Sequence, residues 1–410
     1  MSALTCRGCG GPLRHTFVNL GAQPLANSYL EPDGLNRTEP VFPLHVRVCE
    51  RCFLVQLPEV ESREGLFGDY SYFSSFSDTW LRHAEDFVEQ IVERLGLGPE
   101  SHVVEIASND GYLLQYIVAR GIPSLGVEPA ANVATVAEQR GVPTLVAFFG
   151  VETAGRLMAD GLGADLIVAN NVLAHVPDLG DFVEGLSIAL NPGGTITLEF
   201  PHVLNLILER QFDTVYHEHF SYFSLLAIEP VFAAQGLAVV DVDRLPTHGG
   251  SLRLYLRHAS ESAPEAAAVA GLRDEESAAG LDRLETYTGF AAVVAEVKRD
   301  LLDFLIRVKR DGERVVGYGA PAKGNTLLNY CGVGPDLLEY TVDRSPHKQG
   351  HFLPGSRIPV HDPARILEDE PDYVLILPWN LADEIVGQMI AVRAWGGRFV
   401  IPIPALVVVA

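Results

Sequence analysis

Apolar residues recur at helical spacing through WLRHAEDFVEQIVERLGL (80–97), and a glycine interrupts the run near its end. The pattern predicts an amphipathic helix with a glycine stop. After it the texture changes to short apolar runs separated by helical segments. VVEIA (103–107) leads into a helix from about Tyr112, and SLGVE (124–128) into one from about Asn132. DLIVAN (165–170) and GGTITLEF (193–200) follow. Strands that alternate with helices at this spacing predict a doubly wound, mostly parallel sheet. Residues 260–312 are rich in Ala, Glu, Asp, Leu and Arg and read as long helices. The strand texture then returns in RVVGYGA (314–320), YTVDR (340–344), DYVLILPW (372–379) and GRFVIPIP (397–404). The expected class is α/β with two Rossmann-like domains.

The N-terminal part carries different chemistry. CRGC places Cys6 and Cys9 on one tight turn, and CERC places Cys49 and Cys52 on another. Two such knuckles supply four sulfurs for a tetrahedral zinc ion, and a closed four-thiolate set leaves no open position, so the expected metal is structural. A redox dithiol is the competing reading, and the duplication argues against it. The loop 10–48 is long for a zinc ribbon and should carry extra strands. The expected division is a zinc module over 1–75, a central Rossmann-like domain over 76–258, and a C-terminal α/β domain with its helical connector over 259–410.

Length, composition and charge narrow the class. The chain has 410 residues, too many for one ordinary core, with 48% hydrophobic and 20% charged residues, a globular mixture. A net charge of −23 argues against a duplex-binding surface, although it leaves room for a local basic pocket. The opening residues lack a basic-then-apolar leader, and no run of eighteen apolar residues occurs, so a soluble, cytoplasmic protein is expected. Of five cysteines only Cys331 stands outside the knuckles, which does not suggest a disulfide scaffold.

Two turns have the character of nucleotide sites. In VVEIASNDGYLL, Glu105, Ala107, Ser108, Asn109, Asp110 and Gly111 lie where a strand gives way to a helix. Backbone N–H groups can approach a ligand closely there. Glu128, followed by Pro129, ends the next strand, where an acid commonly holds ribose hydroxyls. Asn170, Asn171 and His175 follow the third strand and would face the same crevice. The turn lacks G-x-G-x-x-G, which favours S-adenosylmethionine over a dinucleotide. GYGAPAKGNT has Gly317, Gly319 and Gly324 at a second strand-to-helix turn, with Asp343 closing the next strand; alone it would read as an NAD site, and Lys323 within it suggests a phosphate instead.

EIASNDGYLL, NNVLAHVPDL, FDTVYHEHFSYFS, HGGSLR and GYGAPAKGNT, in this order behind the double CxxC, resemble the bacterial sugar C-methyltransferases across nearly the whole chain. Those enzymes act on nucleotide-linked 4-keto-deoxysugars, as in the C-3′ methylations toward tetronitrose and mycarose. The resemblance implies S-adenosylmethionine as methyl donor, a thymidine-diphosphate sugar as substrate, a role in natural-product deoxysugar biosynthesis, and no nucleic-acid or membrane partner. The chain is expected to work as a monomer. The resemblance also implies His219 as the base, with Tyr216, Tyr70 and His175 orienting the sugar or steadying an enolate. Glu218 would contact the C3 substituent or tune His219. Lys323, Asn325, Arg344 and Lys348 would hold the diphosphate. Ala107 stands where many members have Gly, and His217 where the tetronitrose-type enzymes have an acid. If TVYHEHF were extended, His217 and His219 would share a face; their spacing is in any case wrong for a helical zinc pair. The alternatives are an NAD-dependent nucleotide-sugar oxidoreductase, and a zinc-ribbon protein that binds nucleic acid or a partner.

Overall fold

The computed structural model describes residues 4–67, 73–261 and 264–410. The chain divides into two compact units. One comprises Met1–Leu13, Cys49–His202 and Phe220–Asp282; the other comprises Arg14–Val48, Val203–His219 and Arg283–Ala410. The strands expected from 103–107, 124–128, 165–170 and 193–200 form as Val103–Ile106, Ser124–Val127, Ala164–Asn170 and Leu190–Pro201.

The first unit is built on a seven-stranded sheet. From one edge its order is Leu237–Leu245, Ser251–His258, Leu190–Pro201, Ala164–Asn170, Val103–Ile106, Ser124–Val127 and Thr144–Leu145. The five strands from Leu190–Pro201 to Thr144–Leu145 are parallel. Ser251–His258 runs antiparallel to both its neighbours, because Leu237–Leu245 returns to it as a hairpin. HGGSLR makes that hairpin's turn, with positive φ at His248, Gly249 and Gly250. Alternation within the strands builds two cores. Val104, Ile106, Ile167 and Ala169 pack on one face, and Val103, Leu166 and Val168 on the other. The helix Asp78–Leu95 covers the second face with Ala84, Phe87, Val88 and Ile91. Ser77 caps its start by accepting the Trp80 N–H, and Gly96 ends it in the left-handed conformation. Strand order reverses at Val103–Ile106, so the crevice of this sheet opens beyond the carboxyl end of that strand.

The second unit has a six-stranded sheet in the order Val360–His361, Thr341–Val342, Val315–Tyr318, Tyr373–Ile376, Arg398–Ile401 and Val407–Val409. All pairs are parallel except the last. The same unit takes in an antiparallel pair from the region between the knuckles, His15–Gln23 with Phe42–Val48. Its Phe17 ring stacks on Phe290 of the helix Phe290–Arg310 at 4.6 Å between centroids. No helix among the described residues is long and apolar enough to cross a membrane.

Candidate active site

Ligating sulfurs of Cys6, Cys9, Cys49 and Cys52 all lie within 4.8 Å of one another. Cys6 and Cys52 are 3.5 Å apart and Cys9 and Cys49 3.6 Å. Tetrahedral zinc with bonds of about 2.3 Å sets its sulfurs about 3.8 Å apart, so the four residues fit the ion. The Gln56 amide donates to Cys6 Sγ at 3.1 Å, and the Arg51 N–H to Cys49 Sγ at 3.4 Å, as expected around thiolates. Arg7, inside the first knuckle, donates Nε to the Pro177 carbonyl at 3.1 Å and Nη2 to the Leu57 carbonyl at 3.0 Å, and its Nη1 binds the Phe220 carbonyl. Burial lowers its pKa to about 10, so it remains charged at neutral pH. The knuckle thereby grips the backbone just beyond His175 and just beyond His219.

The turn after Val103–Ile106 is left-handed at Ala107, Asn109 and Gly111, with φ of 51°, 49° and 78°. Gly111 is required on two grounds: its φ, and a Cβ there would come within 2.9 Å of Val142 Cγ2. Glu128 is buried and holds the turn, accepting the Asn109 N–H at 3.0 Å and the Ala130 N–H at 2.9 Å. Burial raises its pKa, and those two donors partly offset the rise. Asp110 is also committed, to Arg140 at 2.9 Å and to the Ser75 hydroxyl. Pro129 follows Glu128.

Several polar atoms around this turn are left open. Ser108 Oγ, Asn170 Oδ1 and Asn171 Oδ1 are buried without hydrogen bonds, and beside them Glu105 is buried against the Tyr112 hydroxyl and the Leu114 N–H. Burial pushes the Glu105 carboxyl well above the usual carboxylate range. A buried acid with several unsatisfied acceptors beside it at a crevice fits a ligand that carries an ammonium group, such as the methionyl end of S-adenosylmethionine. A network that went unread in the sequence closes the neighbouring strand. Glu199, paired in register with Asn170, accepts from His83 at 2.9 Å, Arg253 at 2.7 Å and Thr247 at 2.9 Å. Burial alone would raise its pKa, but His83 and Arg253 outweigh it and hold Glu199 ionised.

In the second unit, TVYHEHF is a turn rather than an extended strand: the His219 N–H donates to the Tyr216 carbonyl at 3.0 Å. His217 and His219 therefore do not share a face. His217 is buried against Phe42, and burial lowers its pKa, so it is a neutral packing residue. His219 is partly exposed, with its ring 4.0 Å from that of Tyr216. Its Nδ1 lies 2.9 Å from the Thr214 carbonyl. A carbonyl can only accept, so Nδ1 carries a proton, and in the neutral ring the lone pair is then at Nε2. Glu218 is buried and takes the Asn27 amide at 2.7 Å, and burial raises its pKa to about 7. His175 ends a short 3-10 turn in the first unit. Tyr70 lies outside the described residues.

The GYGAPAKGNT turn is not arranged for a dinucleotide. A Cβ on Gly319 would meet Pro378 Cδ at 2.4 Å, so this glycine serves internal packing. Asp343 accepts the Ala320 N–H at 2.8 Å and the Ser345 N–H at 2.9 Å, which occupies the acid a ribose would need. Lys348 donates to the Ala320 carbonyl at 2.9 Å and Asn325 to the Ala26 carbonyl at 2.7 Å, both turned into their own unit. Lys323 donates to Asn380 at 2.8 Å, and Arg344 is exposed.

A seven-stranded sheet with a ligand turn at its switch point, together with a four-thiolate zinc module, defines an S-adenosylmethionine-dependent methyltransferase that carries zinc. Three family models match in sequence: a zinc-binding domain over residues 6–67, a methyltransferase domain over 80–242 and a C-methyltransferase C-terminal domain over 246–404. The chain is 38% identical over 399 residues to the C-methyltransferase NovU of Streptomyces niveus, spanning 97% of this chain and 95% of that protein. A ubiquinone biosynthesis O-methyltransferase of Methylobacterium sp. (strain 4-46) is 33% identical over 106 residues, 24% of this chain and 41% of that one. Magnesium protoporphyrin IX methyltransferase from Synechocystis PCC 6803 overlaps 46% of this chain and 89% of its own at 15% identity, with a TM-score of 0.36, too slight a likeness to argue from. The chain belongs to the C-methyltransferase family, as an S-adenosylmethionine-dependent enzyme. Nothing in these matches supports the oxidoreductase alternative.

Proposed function

We propose that the enzyme methylates a nucleotide-linked 4-keto-deoxysugar, most simply a thymidine-diphosphate sugar, at the carbon next to the ketone, C-3′. The observation that carries this reading is the His219 tautomer. A carbon bearing hydrogen is not a nucleophile until a base removes the proton, and a neutral His219 with its Nδ1 proton on the Thr214 carbonyl has its basic lone pair at Nε2, beside a tyrosine ring. His219 takes the α-proton at Nε2, and the electron pair moves into the C4 carbonyl as an enolate. S-adenosylmethionine supplies an electrophilic methyl group. The enolate carbon takes that methyl, the carbon–sulfur bond breaks to leave a neutral thioether, and the proton leaves from His219 to solvent. Tyr216, Tyr70 and His175 steady the developing oxyanion. Glu218 is a neutral hydrogen-bonding partner for the C3 substituent below about pH 7. Lys323 and Arg344 contact the diphosphate.

Glu105, Ser108, Asn170 and Asn171 hold the methionyl end of the cofactor, and Glu128 orients the turn. Replacing Glu105 with Gln should weaken S-adenosylmethionine binding by about 1.5–3 kcal/mol, the worth of a charged hydrogen bond. Calorimetry measures this, and unchanged affinity in the folded variant would remove Glu105 from the cofactor site.

The test of the whole reading is incubation of a panel of thymidine-diphosphate 4-keto-deoxysugars with enzyme and S-adenosylmethionine in heavy water, followed by mass spectrometry. A product carrying one methyl in place of one hydrogen identifies the substrate. Absence of both methyl and deuterium from every sugar would overturn the reading.

A further inference from the structure

His219 is a useful base only while its Nδ1 proton stays on Thr214, so whatever fixes the Thr214 carbonyl fixes the catalytic tautomer. Thr214 belongs to the short 3-10 turn Phe212–Thr214, and both flanking residues are tied down within the same unit. On one side the Trp379 indole N–H donates to Asp213 Oδ2 at 2.7 Å. On the other, the Thr326 hydroxyl donates to the Val215 carbonyl at 2.9 Å. Asp213, Val215 and Thr326 are all buried. Thr326 lies inside the helix Ala322–Cys331, where a threonine hydroxyl would ordinarily return to the carbonyl one turn back. Here it reaches across to the turn instead. Phe212 packs edge-on against Tyr330 at 5.3 Å, and Lys323 Nζ sits 4.8 Å from the Trp379 ring centre while bonded to Asn380.

We propose that Thr326, Trp379 and Asp213 are positioning residues for His219: they clamp Thr214 from both sides so that the imidazole presents Nε2 as the base. The GYGAPAKGNT helix thus does mechanical service for proton abstraction, apart from any contact with the nucleotide. This inference rests on His219 being the base.

Two measurements test it. In Thr326→Val the hydroxyl is lost at nearly constant volume, and kcat should fall about tenfold to a hundredfold, the scale of a slightly misplaced catalytic group, with KM for the sugar within about twofold. Thr326→Ser keeps the hydroxyl and should recover most of kcat, and Trp379→Phe should resemble Thr326→Val. Independently of turnover, the 15N ring shifts of His219, assigned by difference against His219→Asn, should report an Nδ1–H tautomer in the wild type and a mixture in Thr326→Val. Unchanged kcat in both folded variants, or a change confined to KM, would overturn the clamp. Equal loss in Thr326→Ser and Thr326→Val would do the same. Should Thr326→Val fail to fold, Trp379→Phe and the wild-type tautomer decide the matter. A wild type that methylates no sugar but shows the Nδ1–H tautomer, mixed in Trp379→Phe, defeats the substrate reading and leaves the clamp standing.

Discussion

His219→Asn should lower methyl transfer by roughly 10²–10⁴-fold, the usual contribution of a positioned general base, while S-adenosylmethionine binds nearly as before. The substitution is nearly conservative in shape, and the Asn amide can still donate to the Thr214 carbonyl. What disappears is the Nε2 lone pair, and no other group of the turn can replace it: His217 is buried against Phe42, and Glu218 already holds the Asn27 amide. Deuterium exchange at the sugar's α-carbon isolates the step, because it needs the base and not the methyl donor. It should vanish along with methylation. Exchange at the wild-type rate would mean that another residue removes the proton. The residues proposed to hold the cofactor belong to the other compact unit, so calorimetric affinity for S-adenosylmethionine separates loss of the base from loss of the cofactor.

Replacing Cys6 and Cys49 together with Ser should cost the protein its zinc and much of its stability. Metal analysis of the wild type should give about one zinc per chain, and the double variant nearly none. Both cysteines are buried within the core that includes Leu13 and Leu54, and structural zinc in small modules contributes on the order of 10 kcal/mol of folding free energy. Activity should fall as well, although the metal takes no part in the chemistry. Arg7 projects from the first knuckle to the Pro177 and Phe220 carbonyls, so a collapsed knuckle releases the chain next to His175 and His219. Full retention of zinc by the double variant would dismiss the four-thiolate site.

Local signals explain what the sequence disclosed. Strands buried on both faces are continuous apolar runs, so Ala164–Asn170 and Tyr373–Ile376 stood out. The zinc ligands did so too, because each knuckle's turn geometry is encoded in four residues. The hairpin Leu237–Leu245/Ser251–His258 was missed because charged residues interrupt it, and Arg253, which reads as surface, is buried on Glu199. The clamp around Thr214 was invisible for another reason: Asp213, Thr326 and Trp379 are remote in sequence and ordinary in type. The turn at Tyr216–His219 could not be separated from a strand, since neither glycine nor proline marks it. Lys323 reads as a phosphate ligand from its neighbours in the motif, and only its bond to Asn380, which depends on tertiary packing, could not be read there.

The division of the chain into interleaved segments has a consequence for biogenesis. Phe17 emerges from the ribosome early, yet its stacking partner Phe290 is made much later, a delay on the order of tens of seconds at ordinary elongation rates. During that interval the hairpin His15–Gln23/Phe42–Val48 has an apolar face with nothing to cover it, while the knuckle cysteines on either side can already bind metal. Zinc would then act as an early staple, closing the loop that the nascent chain must hold open for its late partner. A fragment starting at residue 246 would meet the reverse problem: Phe290 would be synthesised with no Phe17 to receive it.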